Sequence, residues 1–350
     1  MLKKLLFGLL AVIVLAAAFI GWRFFTSNTN FEQKAKYLYI RTGHASYAEV
    51  LQTIRDSAYL KNPGSFDLLA ARMDLAAKLS PGKYEIKKGT SIFDLVRMLR
   101  NGRQVPVNLV ITKVRTEEDL ASLIGRKFEC DSASVAAFMH NNDSLKVYGF
   151  DSATVMTGIY PNTYTYFWNT TPDAIFKKLF AEYHKVWTDE RKQQAQQHNI
   201  TPAQAYILAS IVEEETVVQQ DKGDIASVYL NRLRKGMRLQ ADPTVKFALK
   251  NFALRRIYEK HLAVESPYNT YRNTGLPPGP ICTPSIATLD AVLQSPATNY
   301  LYFVAKSDFS GRHVFSETYE EHLKNAREFQ KALDVQQQIR AAREAIDTTK

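Results

Sequence analysis

The chain has 350 residues, of which 45% are apolar and 23% charged, and a formal net charge of +10. This composition excludes bulk disorder, and two cysteines exclude both a disulfide-dense scaffold and a Cys-rich zinc module. The basic excess reads as attraction to an anionic partner or as plain solubility, and charge alone does not choose between them.

Lys3 and Lys4 precede an uncharged apolar run from Leu5 to Trp22, close to the roughly 20 residues of a spanning helix. A cleaved signal peptide is the rival, with Ala16-Ala17-Ala18 as its cleavage site. The run continues through Phe19, Ile20 and Trp22 to Phe24-Phe25, an interfacial aromatic pattern that favours an uncleaved anchor. The two lysines place the short N-terminus on the cytoplasmic side of the inner membrane and the bulk of the chain outside it, in a single pass.

Residues 26–36 are polar and read as a tether. Beyond them a strand followed by a capped helix recurs three times, between residues 37 and 125. The strands are Tyr37–Ile40, Tyr84–Ile86 and Val107–Ile111. The helix starts are Ser46 with Glu49, Ser91 with Asp94, and Thr116 with Asp119, in which a hydroxyl caps free N–H groups and the acid reaches back. Such β-turn-α units resemble the glycan-binding LysM module, and an ordinary α+β scaffold fits them as well. Residues 126–200 read as a helical connecting region broken at Gly158–Tyr164, an aromatic turn that is either a corner of the core or a sugar-facing surface. Cys130, and Cys282 in a proline-rich loop, are expected to be free thiols.

Thr201-Pro202 starts a helix that is apolar from Ala203 to Val212 and then reaches Glu213-Glu214-Glu215. A solvated helix end is the usual explanation of three adjacent acids. Helical geometry separates them, however. At about 100° per residue Glu215 falls within roughly 60° of Leu208, Ile211 and Val212, whereas Glu213 is about 160° away. A carboxyl held beside apolar side chains has a raised pKa, the condition for donating a proton near neutral pH. A salt-bridged structural glutamate is the competing reading.

The next helix, Asp221 to Arg234, stops at Gly236, and Asp242-Pro243 opens another. Ser266 to Pro284 is too rich in Pro, Gly and amide groups for a regular element, and its length suits a binding loop. A hairpin follows, Tyr302–Val304 and His313–Phe315, and then a last helix after Thr318. Asn231, Gln240, Asp242, Tyr268, Asn269 and Thr270 are the candidates for substrate binding in these segments, with loop-stabilising hydrogen bonds as the alternative for each.

Ala209–Thr216, Val228–Leu233, Gly236–Thr244, Tyr268–Ile281 and Tyr300–Phe315 together resemble the MltG (YceG-like) family of endolytic murein transglycosylases. The resemblance implies a lyase that cuts the N-acetylmuramic acid to N-acetylglucosamine bond inside nascent glycan strands, leaving 1,6-anhydro ends and limiting strand length. The family's catalytic glutamate, the last acid of its motif, falls on Glu215. Asn162 stands where the family usually has an acid, and Cys282 lies where it usually has a small residue.

The fold expected is therefore α+β: a transmembrane helix (1–25), the tether, a LysM-like region (37–125), the connecting region (126–200), a mainly helical catalytic domain with a β-hairpin (201–330), and a C-terminal helix and tail (331–350). The expected partners are peptidoglycan strands, the membrane, and cell-wall synthases or other elongation and division proteins. A non-catalytic peptidoglycan-binding scaffold that recruits a synthase is the alternative. Nothing readable points to nucleic acid, and neither a cofactor nor a metal is expected, the seven histidines having no ligand-like spacing.

Overall fold

The computed structural model describes residues 2–43 and 45–347; the last three residues of the expected tail lie outside these. Among the described residues the protein is mixed but mostly helical, with three small two-stranded sheets. It folds as two compact units of interleaved segments. One comprises 1–109, 123–132 and 165–175, the other 110–122, 133–164 and 176–350. No single cut along the chain reproduces this division, because the backbone enters each unit more than once.

The first unit begins with α1 (Leu2–Phe25), 24 residues long and acid-free. Its large apolar side chains from Leu5 to Ile20 are exposed, and the helix is long and apolar enough to cross a membrane. Its last turn is held by Arg23, which donates to Ser65 at 2.6 Å, and by Phe25 against Phe93.

Strand β1 (Ala35–Ile40) leads to α2 (Tyr47–Asp56), α3 (Pro63–Arg72), α4 (Leu75–Lys78), β2 (Gly82–Lys87) and α5 (Ile92–Arg100). β1 and β2 pair antiparallel, Leu38 opposite Tyr84, with Leu38, Ile40, Tyr84 and Ile86 on the buried face. Ile54, Phe66, Leu75, Leu95 and Leu99 complete this core. Ser46 and Ser91 cap as the sequence requires, accepting from the backbone N–H of Glu49 and Asp94. Burial of its ring pushes the Tyr84 hydroxyl up to about 12, so it stays a donor, to the Ser80 carbonyl.

The supposed tether is folded structure. Ser27 bridges to Ser91 and Thr29 to Leu60. Asn28 is buried, accepting from the Asn62 N–H at 3.0 Å, and the Thr29 hydroxyl accepts from Gly89. Short polar side chains here satisfy backbone groups in place of water, which composition alone cannot distinguish from a solvated linker.

β3 (Val107–Ile111) and α6 (Glu117–Gly125) follow, with Thr116 and Asp119 bonded reciprocally through their backbone N–H groups. All three caps are therefore present, but the three strands are not equivalent, since β1 and β2 pair with each other and β3 pairs elsewhere. Next come α7 (Ser132–Met139), α8 (Asn142–Lys146), a 3₁₀ turn at Val155–Gly158, β4 (Asn162–Tyr166), which is the partner of β3, then α9 (Pro172–Val186) and α10 (Asp189–Gln197).

The aromatic turn is core. Tyr160 is fully buried and edge-on to Tyr206, and the Tyr164 hydroxyl donates to the Tyr160 carbonyl. At Gly158 an added Cβ would fall 2.8 Å from the Phe180 ring, so glycine is what lets Phe150 and Phe180 stack there.

The second unit is organised by α11 (Pro202–Glu215), closed at its start by a Thr201–Gln204 capping box and buried from Ala205 to Val212. A helix apolar all round must lie inside a domain. Around it pack α12 (Gln219–Arg234), α13 (Asp242–Ala248) and α15 (Ile286–Leu293). Each fully buried Leu208, Ile211 or Val212 contributes about 1.5–3 kcal/mol relative to exposure. α12 stops where Gly236 turns left-handed, at φ +64°.

The short helix α14 (Glu259–Leu262) precedes the proline-rich loop, and the hairpin of β5 (Tyr302–Ala305) and β6 (His313–Ser316) precedes α16 (Tyr319–Asp347). The hairpin is tied to α12 by Asp221, whose fully buried side chain accepts from the His313 N–H at 2.7 Å and from Arg312 at 3.0 Å. Burial opposes its charge, but these bonds hold the carboxyl below its usual range. Both cysteines are free, and Cys282 is buried with its thiol against the Ser210 carbonyl.

Candidate active site

The three acids that close α11 have three different fates, and none is a solvated helix end. Glu213 accepts from Lys222 at 3.0 Å and from Ser285 and Thr288, its side chain 17% exposed. Glu214 accepts from Lys113 at 2.7 Å and from Arg115 at 3.1 Å. For both, burial works against the charge, and the cations and hydroxyls outweigh it, so both carboxyls titrate below their ordinary value.

Glu215 has no such cation. Its Oε1 accepts from the Tyr229 hydroxyl at 2.5 Å, and Tyr229 is itself buried and edge-on to Phe303. Some of the residue's surface is accessible, yet protein atoms crowd the carboxyl as in an interior, and that crowding governs its charge. Burial pushes its pKa up to about 7. The Tyr229 hydrogen bond opposes the rise, Asp242 reinforces it, and Lys246 and Arg232 oppose it more weakly. The site thus holds a carboxylic acid that is half protonated near neutral pH, between two neighbours that stay ionised. That is the protonation state proton transfer needs in both directions.

The other residues singled out in the sequence divide into two groups. Asn231, Asn269 and Thr270 are buried and spend their polar atoms on the protein. Asn231 donates to the Thr298 and Tyr300 carbonyls, both at 2.9 Å, and its oxygen accepts from Arg234. Asn269 donates to the Leu262 and Val264 carbonyls. Thr270 accepts from the Ala241 N–H and shares a hydrogen bond with Thr244.

The Thr270 bonds lace the long loop onto Ala241 and Thr244 at the start of α13. Gln240, Asp242 and Tyr268 keep accessible surface. Gln240 sits at φ +54°, sparsely populated for a non-glycine residue, and its N–H donates to the Thr270 carbonyl. Asp242 accepts from the Tyr271 hydroxyl at 2.6 Å, and Tyr268 packs on Phe247.

Sequence reasoning missed Tyr229, Tyr271, Lys246 and Arg232. In the helix pattern Tyr229 reads as one more core aromatic, and nothing along the chain announces that its hydroxyl meets a carboxyl 14 positions away. Asn162 donates to Glu182 at 3.2 Å, so an acid from α9 stands beside the position that carries an amide in this chain. Among the described residues no group of three His, Cys, Asp or Glu side chains could hold a metal ion.

The YceG-like family model matches residues 38–328. A curated relative from Bacillus subtilis, named endolytic murein transglycosylase, is 29% identical over 267 residues, which are 71% of this chain and 72% of the relative. A Streptococcus pneumoniae protein of the same name is 26% identical over 323 residues, 84% of this chain and 58% of its own length. In three dimensions the chain is similar to the crystal structure of a YceG-like protein from Listeria monocytogenes. Identity is 28% and the TM-score 0.55, over 84% of this chain and 99% of that one.

Proposed function

The chain belongs to the YceG-like family, and from that premise we propose that it is an endolytic murein transglycosylase in which Glu215 serves as both acid and base. The observation that carries this reading is the Glu215 carboxyl, crowded by protein and titrating near 7 at the end of α11 while its two neighbours are held ionised by cations. Protonated, Glu215 donates to the glycosidic oxygen as positive charge develops on the muramic ring. As carboxylate it then takes the proton from that sugar's own C6 hydroxyl, whose oxygen closes the 1,6-anhydro ring. Water is not the nucleophile, so a second catalytic carboxylate is not required.

Asp242, Gln240 and Tyr268 are the groups we assign to the sugar. To Asn269 and Thr270 we give the positioning of the loop that carries them, and to Asn231, on α12, that of the Thr298–Tyr300 segment it bonds. α1 serves as a single-pass anchor, with Lys3 and Lys4 on the cytoplasmic side of the inner membrane and the chain beyond Phe25 outside it. β1 and β2, with helices between them, support a LysM-like, glycan-holding role for the first unit. Cell-wall synthases that extend the strand are the partners this placement suits.

The test is digestion of uncrosslinked glycan strands by the full-length protein in detergent, with products read by mass spectrometry. Internal fragments ending in 1,6-anhydro-muramic acid are expected. Hydrated reducing ends would replace the C6-hydroxyl step by hydrolysis, and intact strands that remain bound would make the protein a scaffold.

Tyr229→Phe gives a second expectation. The phenol stabilises the carboxylate form of Glu215, so its loss moves the decline of rate on the alkaline side of about pH 7 to higher pH. It also frees the carboxyl from one fixed orientation, lowering kcat roughly tenfold. A pH–rate profile identical to that of the wild type would remove Tyr229 from the site.

A further inference from the structure

A cavity of about 280 Å³ opens in the second unit and is not lined by Glu215. Its walls include Arg115, Glu117, His140, Phe247, Lys250 and Tyr268. It adjoins the acid through two connections. Arg115 holds Glu214, the residue before Glu215, and α13 carries Asp242 and Lys246 towards Glu215 while Phe247 lines the cavity. Gly279 forms part of the floor, where a Cβ would meet the Tyr268 hydroxyl at 2.7 Å, so the backbone is cut back to admit that ring.

The lining carries both signs of charge, incompletely matched. Lys250 is exposed and lies 3.5 Å from an equally exposed Glu118, a pairing worth little in water. Glu117 is the more confined acid, its side chain 28% exposed. The His140 Nε2 lies 3.6 Å from it, on an imidazole itself 65% exposed. Burial outweighs that imidazole, with Glu118 adding to the effect, and the Glu117 carboxyl is held above its ordinary value. A neutral pyranose would leave these charges as they are. A ligand bearing an ammonium for Glu117 and a carboxylate for Lys250 would satisfy both, with Phe247 against its aliphatic part.

We infer that this cavity binds the peptide stem carried by muramic acid residues, pairing Glu117 with a free side-chain ammonium and Lys250 with a carboxylate of the stem. The inference rests on the reading of the chain as a murein-cutting enzyme, and it makes the stem-bearing strand, rather than the bare one, the preferred substrate. The volume suits a few residues of peptide and not a folded domain.

The probe is a muramyl tetrapeptide with a free side-chain amine, compared with the same compound acetylated at that amine. Both are titrated calorimetrically into the full-length protein in detergent. The wild type is expected to bind the free-amine form about tenfold more tightly, the worth of one charge-assisted hydrogen bond. Glu117→Gln should abolish the difference between the two probes, and Lys250→Met should weaken both.

Equal binding of the two probes by the wild type, or discrimination that survives Glu117→Gln, overturns the assignment; the wild-type comparison decides even where a variant does not fold. Strand cleavage by the same preparations separates the two ideas. A protein that cuts strands yet binds both probes alike keeps its enzymatic role and loses this site. One that discriminates the probes yet cuts nothing keeps the site and loses that role.

Discussion

Glu215→Gln lowers strand cleavage by about 10³-fold while leaving the fold in place, the loss expected when a group acting as both general acid and general base is removed. The amide is nearly isosteric, and its oxygen can still accept from Tyr229, so the packing around it and its hydrogen bond persist. What disappears is the transferable proton.

The stability of the same variant carries an independent signature. The folded state raises the Glu215 pKa from its usual value of 4.5 to about 7, so the folded protein binds that proton more tightly than the unfolded chain does. Stability is therefore lost as pH rises through the window from about 4.5 to about 7, by up to ~3 kcal/mol. Above pH 7 Glu215→Gln should equal or exceed the wild type in Tm, and near pH 4.5 the gap should close. Thermal scans across that range, paired with product quantification at each pH, check both statements. A variant that still cuts at a tenth of the wild-type rate would move the catalytic role elsewhere.

The second large effect is on stability. Lys222→Met leaves Glu213 as a buried carboxylate without its cation and should destabilise the second unit by about 3–5 kcal/mol. Lys222 is 7% exposed and bonds both Glu213 and Thr288, so no water route compensates. On a unit of this size that loss lowers Tm by roughly 10 °C. The double variant Glu213→Gln with Lys222→Met removes the stranded charge and should recover much of the deficit. If the double variant is less stable than Lys222→Met alone, the pair is not coupled as the geometry indicates. Because Glu213 and Glu215 share the last turn of α11, the single variant should also disturb cleavage, and the double variant less so.

The sequence made the local devices legible. Ser46, Ser91, Thr116 and Thr201 each cap a helix, Gly236 ends α12, Asp242-Pro243 opens α13, and the hairpin pairs Val304 with Val314. These depend on neighbours within a few positions, so a linear pattern contains them. Residues 26–36 show the opposite case. Their polarity resembles that of a linker, and only the partners Asn62 and Gly89 reveal a folded segment.

Glu215 lies between these extremes. Helical periodicity already set it on the apolar stripe of α11 and separated it from Glu213, although all three side chains are partly buried in the fold. That part was determined by the sequence alone, because the period of a helix is a property of its backbone.

The tertiary structure decided what surrounds each carboxyl. Lys222, Ser285 and Thr288 come from α12, the N-cap of α15 and α15 itself; Lys113 and Arg115 come from the segment before α6; Tyr229 comes from α12. A carboxyl's pKa is set by charges and dipoles within a few ångströms. When these arrive from positions between 9 and 101 residues distant, only the packed fold brings them together.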